Sequence, residues 1–226
     1  MDRITTMSEY CKGKKVLDLG CVGSVRHHIK EPDRWLFAKA QKIAYSIKGI
    51  DLNLEGVQEL AKYGYGEVIF HADAESLKED NQYEVILCGE VIEHVNNPGL
   101  LIEQCYRLLE DDGLLVLSTP NIYSFEFIYK PLIGKVPLTY KDHCVGFDEK
   151  MITLLLARHK FKVIDIKFTH EYIGSNPSKN EKKKGIMYKQ FLLRAISFFN
   201  KRLSSGMVVI AKKTNEKFNQ SYGLGD

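Results

Sequence analysis

The chain has 226 residues, enough for one sizeable hydrophobic core and too few for two ordinary domains. Hydrophobic residues make up 44% and charged residues 27% of it, a balance that excludes a disordered chain. The net charge of +3 is uneven: residues 179–213 carry a local charge of +9 and the rest carries −6, a distribution unlike that of a general nucleic-acid binder.

Seven short apolar runs predict β-strands. In chain order they are residues 14–20, 44–51, 67–73, 83–90, 113–120, 161–168 and 206–213. Amphipathic segments near residues 33–43, 53–63, 98–110, 147–159 and 186–203 predict helices between them. Because the runs are apolar on both faces, the alternation indicates an α/β fold with a mostly parallel sheet covered by helices.

We expect a single domain over residues 1–213 and a tail over 214–226. Residues 120–146 are aromatic and irregular, with three prolines and two glycines that disfavour a continuous helix, so they predict a loop on the substrate side. Residues 174–203 predict a basic loop and helix insertion. Its part 182–203 either contacts an acidic membrane surface or a lipid, or packs on the core with a solvated basic edge.

The ends of the early strands carry the first functional signal. Ligands of open α/β sheets bind at the carboxyl ends of the strands, where Asp51, Asp73 and Glu90 are expected to lie. The first strand supplies Asp18 and then the turn 20–24, in which glycine allows close approach of a ligand.

The turn is not a dinucleotide fingerprint, because it has GxxG and lacks GxGxxG. Asp18 would repel a pyrophosphate but would suit a ligand with a cationic amine or sulfonium. Asp51 is placed to accept both hydroxyls of a ribose, and Asp73 to accept from an adenine amino group. The pattern therefore predicts a cationic nucleoside, although each acid alone could be a strand-end cap.

Several motifs together resemble the Rossmann-fold, or class I, S-adenosylmethionine-dependent methyltransferases, nearest to the ubiquinone-biosynthesis-type O-methyltransferases and uncharacterised small-molecule relatives. They are KKVLDLGCVGS, GIDLN, HADAESL, the stretch YEVILCGE through LLVLSTPN, and DHCVGF. The resemblance implies a three-layer Rossmann-like sandwich whose seven-stranded, mostly parallel sheet has an antiparallel last strand. It also implies S-adenosylmethionine as cofactor and S-adenosylhomocysteine as product.

The resemblance assigns each part of the cofactor to residues of this chain. Asp18, Gly20, Cys21 and Gly23 would line the methionine part, Asp51, Leu52, Asp73 and Ala74 the ribose and adenine, and Cys88, Gly89 and Glu90 would lie beneath the sulfonium. The chain departs from the motifs at Val22, Ser24 and Asp112, where glycine is usual. We expect Val22 to narrow the space near the methionine part.

Two histidines are candidates for catalysis. His94 follows the fourth strand and is expected to act as a general base or to cap the turn before Pro98. His143, beside Asp142, either takes part in catalysis or pins its loop. His27 and His28 are expected at a helix start or on the surface.

We expect no metal site, because Glu93 and His94 are sequence neighbours that do not easily converge with Glu90. The aromatic residues of 120–146 either floor a substrate pocket or pack the loop onto the sheet.

The sequence favours methyl transfer to a small-molecule acceptor, most simply at oxygen. Two alternatives stay open: a protein that binds the cofactor without catalysis, and a nucleotide-dependent oxidoreductase on the same fold. The N-terminus has no apolar segment of signal-peptide length, no run reaches the roughly 20 apolar residues of a membrane span, and the five cysteines form no CxxC pair. A cytoplasmic location is therefore expected.

Overall fold

A computed structural model of the chain describes residues 2–136, 142–169 and 200–216. Its strands are β1 (Lys15–Leu19), β2 (Ser46–Asp51), β3 (Ile69–His71), β4 (Tyr83–Gly89), β5 (Leu109–Pro120), β6 (Phe161–Thr169) and β7 (Gly206–Lys213). Its helices are α1 (Arg3–Ser8), α2 (Val25–Lys30), α3 (Leu36–Gln41), α4 (Leu54–Leu60), α5 (Pro98–Leu108), α6 (Phe125–Leu132) and α7 (Glu149–Arg158).

The seven strands form one sheet in the order β3-β2-β1-β4-β5-β7-β6. Strand β7 runs antiparallel to both β5 and β6, whereas the other neighbouring pairs are parallel. The α/β class and the mostly parallel sheet with an antiparallel last strand are confirmed. Because the chain reverses its direction of travel across the sheet between β1 and β4, a crevice forms at their carboxyl ends, where such sheets bind ligands.

Helices cover both faces of the sheet. On one face, α5 buries the side chains of Leu101, Ile102, Cys105 and Leu108, which recur at helical spacing. On the other face, α1 and α3 pack against β1, β4, β5 and β7. The sheet is therefore the middle of three layers, as the resemblance implies.

N-capping side chains explain where helices α5 and α7 begin. The Asn97 side chain accepts from the backbone N–H of Leu100 at 3.2 Å, and Pro98 occupies the first helical position, where no N–H is needed. Asp148 accepts from the N–H groups of Lys150 and Met151, each at 2.7 Å. Asn97 is therefore the residue that caps α5.

Three helices were not expected from the sequence. Helices α1 and α2 have six residues each, too few for a periodic pattern to stand out. Helix α6 lies within 120–146, so the prediction that no continuous helix forms there is wrong for residues 125–132. Ser124 begins it by accepting from the N–H of Phe127, and Pro131 lies inside its last turn, one residue before the helix ends.

The expected basic insertion is described only from residue 200, where residues 201–203 form a 3₁₀ turn; its remainder lies outside the described residues. The same is true of residues 217–226 of the expected tail. Within the described ranges, none of the helices combines the length and apolar character needed to cross a membrane.

Candidate functional site

The predicted site residues gather at the carboxyl edge of the sheet. The register aligns Leu19 with Ile50 on one side and with Cys88 on the other, so the turns after β1, β2 and β4 adjoin one another. Asp51 is aligned with His71, the last residue of β3. Strand pairing therefore brings the ends of the first four strands into one crevice, as the sequence predicted.

The turn after β1 requires glycine at its first position. Gly20 has φ +69°, and a Cβ atom there would lie 2.3 Å from Cγ2 of Val91. The N–H groups of Gly20 and Cys21 both donate to the carbonyl of Ile50, at 2.8 and 3.3 Å. The indole N–H of Trp35 donates to the Cys21 carbonyl at 2.7 Å. The backbone of the turn is thus held close to the sheet with no side chain at Gly20.

Val22 does not narrow the site in the way the sequence led us to expect. Its side chain is fully buried and packs towards α4, where its Cγ1 lies 2.4 Å from the position that a Cβ of Gly56 would occupy. A glycine on α4 therefore makes room for the valine that replaces glycine in the turn. The expectation of lost space near the methionine part is wrong for this reason.

His28 lies in the first turn of α2, a helix-start position as expected, but it is half-buried. Its ring stacks on Trp35 at 5.0 Å between centroids and 8° between planes. Its Nε2 lies 2.7 Å from where a Cβ of Gly23 would be. Burial, with a smaller contribution from His27, lowers the pKa of His28 to about 4. The two rings form a neutral support beneath the turn.

Asp51 links the turn after β1 to the end of β2. Its Oδ2 accepts from the N–H of Val22 and its Oδ1 from the N–H of Asn53, both at 2.8 Å. Each carboxylate oxygen keeps a further lone pair, and the side chain is half-buried. Leu52, which follows, is 68% exposed and offers an apolar surface beside this acceptor.

Asp18 is the most unusual acid of the crevice. It is 2% exposed, and among the described residues its Oδ2 has no hydrogen-bond partner. Burial, and then the neighbouring charge of Asp51, raise the pKa of Asp18 well above its ordinary value, while the guanidinium of Arg3 opposes this. A buried, unsatisfied carboxyl oxygen is costly, and a ligand with a cationic or N–H donor would satisfy it.

Arg3 was not identified from the sequence. Its guanidinium donates to the Ser118 hydroxyl at 3.2 Å, and that hydroxyl donates to Glu90 at 3.0 Å. The same guanidinium lies 3.3 Å from where a Cβ of Gly89 would be. Arg3 is 115 residues away in sequence from Ser118, and it belongs to no motif. The sequence therefore offers no signal that it lies at the site.

The remaining predicted cofactor residues differ in exposure. Glu90 is half-buried, with φ +57°. Cys88 is fully buried in the core on the α5 face, so its side chain does not line the crevice. Asp73 is exposed, and its oxygens accept from the Glu75 N–H at 2.9 Å and the Ser76 hydroxyl at 3.2 Å. Ala74 beside it is half-buried.

The two candidate catalytic histidines meet at this edge. Their rings are 4.5 Å apart in an edge-to-face arrangement, and Nδ1 of His94 lies 3.2 Å from Oδ2 of Asp142. The Glu93 carbonyl accepts from the N–H groups of Cys144 at 2.8 Å and Val145 at 3.3 Å, which holds the segment with His143 against β4. Sequence positions almost 50 residues apart therefore form one cluster.

The buried carboxyl group of Glu93 belongs to the same cluster. Its Oε2 accepts from the Thr119 hydroxyl at 3.2 Å, and burial raises its pKa, opposed by a backbone hydrogen bond and by His94. Desolvation lowers the pKa of His143, helped by His94 and opposed by Asp142. Burial thus favours the uncharged form of both the Glu93 carboxyl group and the His143 imidazole.

The reason given from the sequence for expecting no metal is wrong in one respect. One ligand atom from each of Glu93, His94 and His143 lies within 4.8 Å of the others, so Glu93 and His94 do converge, with His143 as the third member. Glu90, the third acid considered from the sequence, is not part of this group.

Comparisons with known proteins agree with this geometry. A family model described as a methyltransferase domain matches residues 1–166. A ubiquinone biosynthesis O-methyltransferase of Paraburkholderia xenovorans is 31% identical over 115 residues, covering 48% of this chain and 45% of that protein. One of Psychrobacter arcticus is 32% identical over 169 residues, covering 71% and 61%. The chain spans about half the length of several curated relatives it matches.

The fold has relatives among solved structures. An S-adenosylmethionine-dependent methyltransferase from Archaeoglobus fulgidus superposes with a TM-score of 0.58 at 20% sequence identity, covering 93% of this chain and 91% of that one. One from Mesorhizobium loti has a TM-score of 0.59 at 14% identity, covering 93% and 95%. At such identities the likeness concerns the fold alone.

Proposed function

We propose that this chain, which belongs to the methyltransferase domain family, transfers a methyl group from S-adenosylmethionine to an oxygen atom of a small organic molecule. S-adenosylmethionine is the cofactor that this membership implies, and it supplies a methyl group on a positively charged sulfur. The observation that carries the proposal is the set of acids at successive strand ends, with the unsatisfied buried oxygen of Asp18 among them.

The donor set of the crevice fits the cofactor. The ammonium group of a methionine part at Asp18 would give the buried oxygen both a donor and a counter-charge. The outward lone pairs of Asp51 suit the two ribose hydroxyls, and the exposed side chain of Leu52 suits an adenine ring. Arg3 offers donors to the carboxylate at the methionine end. Asp73, whose oxygens are engaged in its own turn, would accept from adenine with its remaining lone pairs.

Methyl transfer from a sulfonium loses charge in the transition state, so the protein chiefly positions the reactants and excludes water. We assign His94 as the group that accepts the proton of the acceptor hydroxyl. Because Nδ1 faces Asp142, the proton would be taken at Nε2, and the Asp142 carboxylate would stabilise the resulting imidazolium. The ring of His143, whose pKa is lowered, contacts the ring of His94 edge to face and is assigned the neutral form.

The choice of oxygen is supported by the names of the relatives, which are O-methyltransferases at 31–32% identity. The approach of Nδ1 of His94 to Asp142 supports a role of the cluster in moving a proton. That the cluster holds no metal stays a prediction, since Glu93, His94 and His143 each offer a ligand atom there. The oxidoreductase alternative would place a pyrophosphate near a buried acid, which is unfavourable.

The experiment is transfer of an isotope-labelled methyl group from the cofactor to a panel of phenols, catechols, carboxylic acids and amines, with products identified by mass spectrometry. We expect a labelled methyl ether or ester that disappears with His94→Gln. A labelled methylamine would contradict transfer to oxygen. Cofactor binding without any labelled product, across the panel and a cell extract, would favour a binding protein. Loss of activity on dialysis against EDTA, restored by a divalent cation, would contradict the metal-free cluster.

A further inference from the structure

Helix α6 and the turn after it present a concentrated apolar surface, which we call the α6 surface. Of the fifteen large apolar side chains that are exposed in the described residues, six lie within fourteen residues here, so the concentration is local. They are Tyr123, Ile128, Tyr129, Leu132, Ile133 and Val136. Leu132 and Val136 are 78% and 85% exposed, far more than a packing contact would leave.

Ile128, Tyr129 and Leu132 form an apolar stripe on one face of α6 by helical spacing, and Ile133 and Val136 follow in the turn after the helix. The ring of Phe125 stacks on that of Tyr129, with 5.4 Å between centroids. Phe125 and Phe127 are half-buried. No residue of α6 is fully buried. An eight-residue helix has little stability of its own, so it gains from a partner that covers this stripe.

Exposed positive charge lies beside the α6 surface. Lys135 is exposed in the turn after α6, whereas Lys130, whose side chain is 15% exposed, is paired with the one acid of the helix, Glu126. The Asn121 side chain, at the base of α6, donates to the carbonyls of Arg202 at 2.7 Å and Ser204 at 3.0 Å. This contact brings the end of the basic stretch, whose sequence from 179 to 213 has ten Lys/Arg and one acid, to the base of the surface.

We propose that the α6 surface docks on a bilayer rich in anionic phospholipid. Aliphatic side chains that enter the interface, tyrosines at headgroup depth and lysines beside them are the combination by which amphipathic elements bind such membranes. Exposed lysines disfavour a second copy as partner, because a two-fold interface would set the same cations against one another. Since β5 ends at this edge, docking would turn the crevice beside His94 towards the lipid.

The experiment is co-sedimentation of the full chain with vesicles of equal parts phosphatidylglycerol and phosphatidylcholine, and with vesicles of phosphatidylcholine alone. We expect binding to the anionic vesicles in 50 mM salt, weakened in 500 mM salt by screening. The variant Leu132→Glu/Val136→Glu is expected to bind at least about tenfold more weakly. Both positions are exposed, so a thermal melt should show an intact fold; Leu132→Ser/Val136→Ser gives a second test without added charge.

The matched control is Tyr45→Glu/Ile164→Glu, which adds the same charge at exposed apolar positions outside the surface, 84% and 52% exposed. We expect it to bind like the unmodified chain. The proposal is overturned if the unmodified chain does not bind anionic vesicles, or if both charge variants weaken binding equally. It is also overturned if equilibrium sedimentation shows a dimer that only the α6 variants dissociate. None of these results depends on methyl transfer, so vesicle binding and enzymatic activity are tested separately.

Discussion

The two sides of the crevice are built differently. The cofactor side comprises the turn 20–24 and the ends of β2 and β3, and its groups are fixed by backbone hydrogen bonds such as those from Val22 and Asn53 to Asp51. The acceptor side comprises residues 90–95 and 142–147, where ionisable side chains meet one another across the chain. We infer that the cofactor side supplies affinity and the acceptor side supplies the proton transfer. Substitutions on the cofactor side should therefore change the Kd of the cofactor, and substitutions on the acceptor side should change kcat.

The largest effect is expected for Gly20→Ala on the cofactor side. The new Cβ would lie 2.3 Å from Val91 in a backbone with φ +69°, so strain and overlap together should cost on the order of 2–4 kcal/mol. Cofactor binding should fall at least a hundredfold and the melting temperature should drop, as measured by calorimetry and thermal melts.

Gly13→Ala is the matched control, because its φ is +68° and nothing lies within 4 Å of its Cβ position. It should lose only about 1 kcal/mol from backbone strain and keep its cofactor affinity. Equal losses in the two variants would show that the close approach at Gly20 has no special role.

Asp51→Ala should raise the Kd for S-adenosylhomocysteine by roughly 30- to 100-fold, because charged acceptors contribute about 2–3 kcal/mol. The alanine also frees the N–H of Val22, so Asp51→Asn, which keeps one oxygen, should lose less. Asp33→Ala, which removes only an exposed ion pair with Lys42, is the control. An unchanged Kd for Asp51→Ala in a folded protein would argue against the assigned ribose site.

On the acceptor side, His94→Gln should lower kcat by roughly 10²- to 10⁴-fold, the usual contribution of a general base, and leave the Kd for S-adenosylhomocysteine unchanged. Asp142→Asn should have a smaller effect, about tenfold, because it removes the carboxylate that would stabilise the imidazolium formed at His94. A rise in Kd as large as the fall in kcat would erase the distinction between the two sides.

One pH-dependent contribution to stability should come from His28, on the cofactor side. His28 has a pKa of about 4 in the fold and about 6.5 when unfolded, so the unfolded chain binds more protons between these values. The His28 contribution is therefore full above pH 6.5 and falls as the pH drops towards 4, by about 1–2 kcal/mol from pH 7 to pH 5 after allowance for partial exposure. The raised pKa values of Asp18 and Glu93 act in the opposite direction, so the contribution is measured as the difference from His28→Phe. His28→Phe, which keeps the ring stacked on Trp35, should lose less, as measured by urea denaturation.

The last prediction tests the replacement of glycine by Val22. Gly56→Ala should cost about 1–3 kcal/mol by overlap with the valine, and Val22→Ala combined with it should restore most of the loss. Urea denaturation of the three variants gives the coupling. Additive losses would mean that Val22 and Gly56 do not accommodate each other.

The strand ends that form the proposed cofactor side could be located from the sequence because their information is local. A strand, its final acid and the following glycine lie within a few residues, so Asp18, Gly20 and Asp51 could be named before the fold was known. The direction of the Val22 side chain could not be predicted in this way, because it depends on the space that Gly56 leaves on helix α4. Asp73 was also predicted at a strand end, yet its engagement in a turn is visible only in the structure.

The acceptor side was less predictable because its contacts join distant parts of the chain. The contact between His94 and Asp142 and the contact of Arg3 with Ser118 have no local signature. Proline and glycine in 120–146 correctly indicated irregular backbone at both ends of the stretch. Because of these residues no helix was predicted there, although α6 is short enough to fit between Ser124 and Gly134.

The central claim is that the ends of β1 and β2 bind a cationic nucleoside, and isothermal titration calorimetry tests it most directly. S-adenosylmethionine and S-adenosylhomocysteine should each bind one to one with a Kd on the order of micromolar. NAD should release no heat, and Asp51→Ala should weaken both sulfur nucleosides while His94→Gln leaves them unchanged. Binding of NAD with no binding of either sulfur nucleoside at millimolar concentration would contradict the account.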